Sequence, residues 1–158
     1  ICNAVGWPPA MRMLNEYGIM MGLGTDGYTN DITESYKVGN IIHKHHLADP
    51  NAAWAEIPQM LFNNNPKMAN RYFKSKLGVL ETGAAADVIV IDYKGPTPMN
   101  SSNYNGHILF GINGGAVTDT IINGSIRMRN REVQGVDEAK IWADAQAQAQ
   151  SLWTRING

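Results

Sequence analysis

Residues 22–27, GLGTDG, hold the acid whose surroundings best suit chemistry. Asp26 stands three residues beyond the apolar run 19–23, IMMGL, and is flanked by Gly24 and Gly27. A carboxylate at the carboxyl end of a parallel strand occupies the place where barrel enzymes carry their active sites. There it can ligate a divalent metal and exchange a proton with a bound water. Thr-Asp-Gly is equally good turn chemistry, and the hexapeptide taken alone favours the turn. Tyr28 and Asn30 follow in the same loop and are the candidates to face a substrate. His43, His45 and His46 form a second cluster, HKHH. His43 and His46 could share a helix face, but no acid or cysteine is placed beside them, so a structural or surface role is expected.

The elements that must position Asp26 follow from local rules. Residues 5–18 suit a short helix, with Pro8 and Pro9 in its first turn and Ala10, Met13, Leu14 and Tyr17 as its apolar stripe. The run 19–23 is short and apolar throughout, as buried parallel strands are. Asp31 can cap the next helix, with Glu34 at capping-box spacing. That helix should reach Leu47 and stop before Asp49-Pro50. Two further helical stretches are expected, AAWAEIPQMLFN with a bend at Pro58, and PKMANRYFKS. Asn63, Asn64 and Asn65 are expected as turn material, as is the polar loop around Asn100 and Asn105. Met11, Met13, Met20 and Met21 are expected to fill the core.

Near Lys76 the pattern turns β-rich. ADVIVIDY and AVTDTIINGSIRMRNREV supply strands, and Asn123-Gly124 predicts a hairpin turn. Asp87, at the head of the first of these strands, is expected to fix backbone. From Asp137 a terminal helix is predicted, with Trp142, Ala145, Ala149, Leu152 and Ile156 at three- and four-residue steps. Trp142 and Trp153 fall on one side of it, suited to covering a sheet or barrel, or to joining two copies in a homo-oligomer.

Composition narrows the function classes. Among 158 residues, 44% are hydrophobic and 17% charged, with a net charge of -1. These values indicate a globular chain with no polyanionic partner, so neither nucleic acid nor membrane is expected. A lone cysteine, Cys2, excludes an internal disulfide framework and agrees with a cytoplasmic location. The chain opens at Ile1 in what looks like the middle of a fold, and it reads as a piece of a longer protein.

The stretch NAVGWPPAMRMLNEYGIMMGLGTDG resembles the last barrel segment of the amidohydrolase superfamily, in its chlorohydrolase and nucleobase-deaminase branch. LGVLETGAAADVIVIDY resembles the passage where such enzymes leave the barrel and rejoin a small β-sandwich. Residues 95–133 resemble the closing sandwich strands, with PTP and GHILFG closest to the SsnA-type aminohydrolases. The resemblance implies a fold class of α/β, the C-terminal portion of a (β/α)8 TIM barrel plus closing β-sandwich strands. It divides the chain at 1–75 for the barrel part, 76–135 for the sandwich strands and 136–158 for the terminal helix.

The resemblance also implies that Asp26 is both metal ligand and proton shuttle. Zinc is the first metal expected and iron the second. A metal-activated water would attack an electron-poor carbon of a small heterocyclic substrate, and Asp26 would move its proton toward the leaving group, typically ammonia. His107 matches a histidine at the join of barrel and sandwich, where a hydrogen-bonded core role is expected. Ala85 stands where the family often carries lysine, a solvent-face change. The family's paired histidines, later histidines and catalytic glutamate match no segment here. The chain alone is therefore expected to be inactive and to need the missing N-terminal part of its barrel. The alternative is a non-catalytic assembly module that retains the end of the fold.

Overall fold

The computed structural model describes residues 10–158. The expected placement of Pro8 and Pro9 in a first helical turn lies outside the described residues, as does Cys2. Helix α1, Ala10–Tyr17, buries Met11 and packs Ala10 and Leu14 against the core, while Tyr17 is exposed. The apolar stripe is thus rotated from the expected one, because Met11 rather than Tyr17 faces inward. Gly18, at φ +62°, ends the helix in the left-handed conformation that glycine adopts without strain.

The run 19–23 does not form the expected strand. The described strands pair only with one another, and a parallel strand exists only beside a partner. Side chains hold its backbone instead. Asn64 Nδ2 donates to the Met21 carbonyl at 2.8 Å, and Asn65 brackets Leu23. Ile19 and Met20 are exposed; Met21 and Leu23 pack on the core.

Helix α2, Ile32–Leu47, begins at Asp31 and ends at Ala48 in the left-handed conformation, just before Asp49-Pro50. Its inner face carries Tyr36, Asn40 and His43. Asn40 Nδ2 donates to the Ala53 carbonyl at 3.1 Å, which satisfies a buried amide. Helix α3, Glu56–Pro58, runs through a π-helical stretch, Gln59–Asn64, into α4, Asn65–Ala69. The irregularity expected at Pro58 lies further on. Pro58 sits in the first turn, where an absent N–H costs nothing. Pro66 lacks the donor that α-helical register would require, and Asn65 N bonds back five residues to Met60 O. Asn63, Asn64 and Asn65 are therefore helical and not turn material. The core gathers here, with Tyr36, Ala53, Ile57, Met60 and Leu109 among its buried members.

Strands β1 (Val88–Ile91), β2 (Val117–Ile122), β3 (Ser125–Arg129) and β4 (Glu132–Val133) form one antiparallel sheet in the order β1-β2-β3-β4. The predicted hairpin is present. Asn123 and Gly124 both take positive φ, 49° and 76°, as a tight turn between twisted strands requires. Asp87 Oδ1 accepts the Asn123 N–H at 2.6 Å, so the acid fixes this turn against the start of β1.

The stretch expected to close the sandwich supplies β2, β3 and β4 and also contains a helix, α5, Tyr104–Gly111. A short apolar run does not separate helix from strand by period alone. Contact decided it: α5 packs on α2, burying Leu109 and His107, and Trp54 lies against Phe110 with ring centroids 6.0 Å apart. Helix α6, Glu138–Asn157, is capped by Asp137, whose side chain accepts the Lys140 N–H at 2.9 Å. Trp142 and Trp153 on it are 68% and 56% exposed. No described helix is long and apolar enough to cross a membrane.

Candidate active site

Asp26 sits at the start of the turn that follows the run 19–23, with an exposed side chain. Its φ of 51° is left-handed, a conformation that aspartate tolerates better than most residues because its short side chain bonds locally. Here Oδ1 accepts the Gly27 N–H at 2.7 Å. Tyr28 and Asn30 are exposed in the same loop, Tyr28 at 68%. The three candidate residues therefore share one exposed loop, 24–30.

That loop is anchored at both ends. On the entry side, the carboxamides of Asn64 and Asn65 hold Met21 and Leu23. On the exit side, Asp31 N donates to Thr29 Oγ1 at 3.0 Å. Thr29 thus occupies the donor that the Glu34 side chain would take in a full capping box. Asp31 Oδ1 accepts from Thr33 N at 2.8 Å and Thr33 Oγ1 at 2.6 Å, and Oδ2 accepts from Gly114 N at 2.7 Å. Burial by itself raises the Asp31 carboxyl, but the Thr33, Gly114 and Glu34 hydrogen bonds outweigh it and hold the group below the ordinary carboxylate value. A Cβ on Gly114 would approach the Asp31 carboxylate to 2.9 Å, so this close approach requires glycine.

The histidines are placed as expected. His43 is 5% exposed, with Nδ1 2.6 Å from the Gly39 carbonyl and Nε2 buried without a partner. Burial lowers its pKa, with only partial opposition from the Gly39 carbonyl and Glu56. His45 and His46 are exposed on the outer face. His107 is buried between two hydroxyls, with Tyr93 Oη 2.9 Å from Nδ1 and Thr97 Oγ1 3.3 Å from Nε2.

Among the described residues no three histidine, cysteine, aspartate or glutamate side chains gather into a metal-binding group. Asp26 offers the right kind of donor, a carboxylate oxygen, but a single donor does not make a metal centre. The sequence reading missed the two bracketing asparagines. Their signal was a run of three carboxamides, Asn63, Asn64 and Asn65, beside an apolar helical face where nothing local needed them.

A family model described as the amidohydrolase family matches residues 2–127. A 5'-deoxyadenosine deaminase from Methanosarcina mazei is 33% identical over 98% of this chain and 36% of its own length. A 5-methylthioadenosine/S-adenosylhomocysteine deaminase from Thermococcus onnurineus is 34% identical over 82% of this chain and 31% of its own. The chain thus spans about a third of the curated relatives it matches. An adenosine deaminase from Xanthomonas campestris, solved with bound zinc, superposes at a TM-score of 0.74 with 21% identity, over 94% of this chain and 34% of its own. An atrazine chlorohydrolase from Arthrobacter aurescens, solved with zinc and atraton, superposes at 0.63 with 22% identity, over 87% of this chain and 31% of its own.

Proposed function

Because the chain belongs to the amidohydrolase family, and its fold is a portion of that family's barrel with closing sandwich strands, we propose that the protein carrying it is a metal-dependent aminohydrolase. Its reaction is hydrolytic removal of ammonia from an aminated nitrogen heterocycle, with the adenine ring of a 5'-substituted nucleoside as the first substrate class. The names of the Methanosarcina and Thermococcus relatives support that choice. The observation that carries the reading is the exposed Asp26 carboxylate in a loop anchored at both ends.

A bound divalent metal, zinc first and iron second, supplies Lewis-acid activation of water. Asp26 contributes one oxygen ligand, and the remaining ligands come from outside the described residues. Asp26 also accepts a proton from the attacking water and returns one to the departing amine. The Gly27 N–H on Oδ1 keeps the carboxylate oriented. Tyr28 and Asn30 face the heterocycle from the same loop. The barrel part occupies 1–75, the sandwich strands 76–135 and the terminal helix 136–158. The enzyme works in the cytoplasm, and the Trp142 and Trp153 face is available to join two copies.

Ammonia release by the complete polypeptide tests this reading. The panel holds 5'-deoxyadenosine, 5-methylthioadenosine, S-adenosylhomocysteine, aminopyrimidines, pterins and triazines, with chloride release followed for chlorinated triazines. Turnover that disappears in Asp26→Asn is the expected result. Full turnover in Asp26→Asn removes the residue from the chemistry. Silence across the panel in protein that holds metal leaves a hydrolase of another substrate class, and silence in protein that stays metal-free after zinc is supplied favours the non-catalytic module.

A further inference from the structure

Asp26 depends for its position on a segment that joins no sheet among the described residues. Its backbone is gripped by two carboxamides instead. Asn65 Nδ2 donates to the Leu23 carbonyl at 2.7 Å while Asn65 Oδ1 accepts the Leu23 N–H at 3.0 Å. One side chain thereby closes both polar groups of one residue, as a neighbouring strand would in a ladder. Asn64, 3% exposed, adds a bond to the carbonyl of Met21, two residues earlier.

Two independent features serve this grip. The π-helical stretch ends at Asn64 and delivers both asparagines to the segment, and such stretches concentrate at functional sites. Gly22 lies between the two gripped residues, and a Cβ there would overlap Asn65 Oδ1 and Met68 Cε. Glycine at this position admits the bracket.

We propose that Asn65 is a positioning residue: it sets how far Asp26, three residues beyond Leu23, projects toward the reacting atoms. The proposal rests on the assignment of Asp26 as the reacting carboxylate. Leu23 is fixed to α4 by Asn65, and Asp31 is fixed to Gly114, so the intervening loop has both ends set by contacts far away in sequence. A misplacement on the order of 1 Å at a reacting group costs about 10²-fold in rate.

Two variants attack the bracket from opposite sides. Asn65→Asp keeps the shape but loses the donor to the Leu23 carbonyl, setting two acceptors against each other until the new carboxyl is protonated. Gly22→Ala leaves Asn65 in place and pushes its carboxamide off Leu23. Both are made in the complete polypeptide beside Asp26→Asn. The readouts are thermal melting, kcat and KM for the substrate found in the panel, and zinc affinity by chelator competition.

The expected result is cooperative melting, a KM close to wild type, a kcat lowered about 10²-fold and weaker zinc binding. In Asn65→Asp, kcat recovers relative to wild type as pH falls toward the carboxylate range. Wild-type kcat and zinc affinity in both variants, with Asp26→Asn inactive, overturn the bracket alone. Full activity in Asp26→Asn overturns the assignment beneath it. Loss of cooperative melting in both variants makes Asn65 a folding residue and overturns the proposal. Where no substrate turns over, zinc affinity decides: a value unchanged in both variants overturns it.

Discussion

His43 shows how a single buried group sets a pH limit on the helical layer. Its ring is enclosed beneath α2, with Nδ1 near the Gly39 carbonyl; the charged groups that act on it are His46 on its own helix and Glu56 on α3. Burial disfavours the imidazolium, so the folded pKa lies below the ordinary value of 6.5. The unfolded chain then binds the proton more readily, and stability is full above about pH 6.5. It falls as pH drops below that value and levels out beneath the folded pKa. Thermal melts between pH 7 and pH 4 should show this loss, and His43→Leu should flatten it in the upper part of the window. An unchanged slope in His43→Leu would assign the acid sensitivity elsewhere. Asp31 contributes a separate loss at lower pH, because its depressed carboxyl stabilises the fold only while ionised.

At the scale of elements, the β2–β3 hairpin shows that backbone conformation and not space limits substitution. A Cβ on Gly124 would meet nothing within 4 Å, yet its φ is +76°. Gly124→Val should therefore cost about 1–2 kcal/mol in chemical denaturation, purely from the left-handed backbone. Gly124→Asn should cost markedly less, since asparagine tolerates that region. Equal losses in the two variants would point to an unnoticed packing contact instead. The Asp87 bond to Asn123 and the Gly124 N–H bond to the Ala86 carbonyl at 3.0 Å secure the same turn to β1. Asn70 repeats the carboxamide bracket seen at Leu23: it bonds both Leu77 N–H (2.8 Å) and Leu77 carbonyl (3.1 Å), at the exit from the helical layer.

Taken whole, the chain leaves much apolar surface uncovered. Leu80 is 83% exposed and Phe110 72%, and α6 presents Trp142, Leu152, Trp153 and Ile156 along one side without burying any of them. Contiguous apolar surface of this kind marks an interface. The isolated 158-residue chain should bind a hydrophobic dye strongly and associate with rising concentration. A longer polypeptide that supplies the barrel part proposed above should suppress both effects. A dye-silent monomer would show that these faces find cover within the chain itself. The inactivity expected of the chain alone agrees with the described residues, among which no three histidine, cysteine, aspartate or glutamate side chains gather into a metal-binding group.

What the sequence determined by itself was whatever depends on neighbours a few positions away. The Asp31 cap, the Asn123-Gly124 turn, the Asp137 cap and the spacing of α6 were all legible, because each is satisfied within about four residues. The resemblance carried by residues 3–27 and 77–93, in order, was enough for the family. Tertiary structure decided the rest. Whether 107–110 coils or extends was settled by packing on α2, since an apolar run that short carries no usable period. The run 19–23 had the composition of a strand but no partner strand, so its polar groups went to side chains 42 and 43 residues away. Asn64 and Asn65 looked like turn residues because local chemistry offered nothing else for them. Buried backbone groups must be paired, and only the folded chain shows which ones lacked a partner.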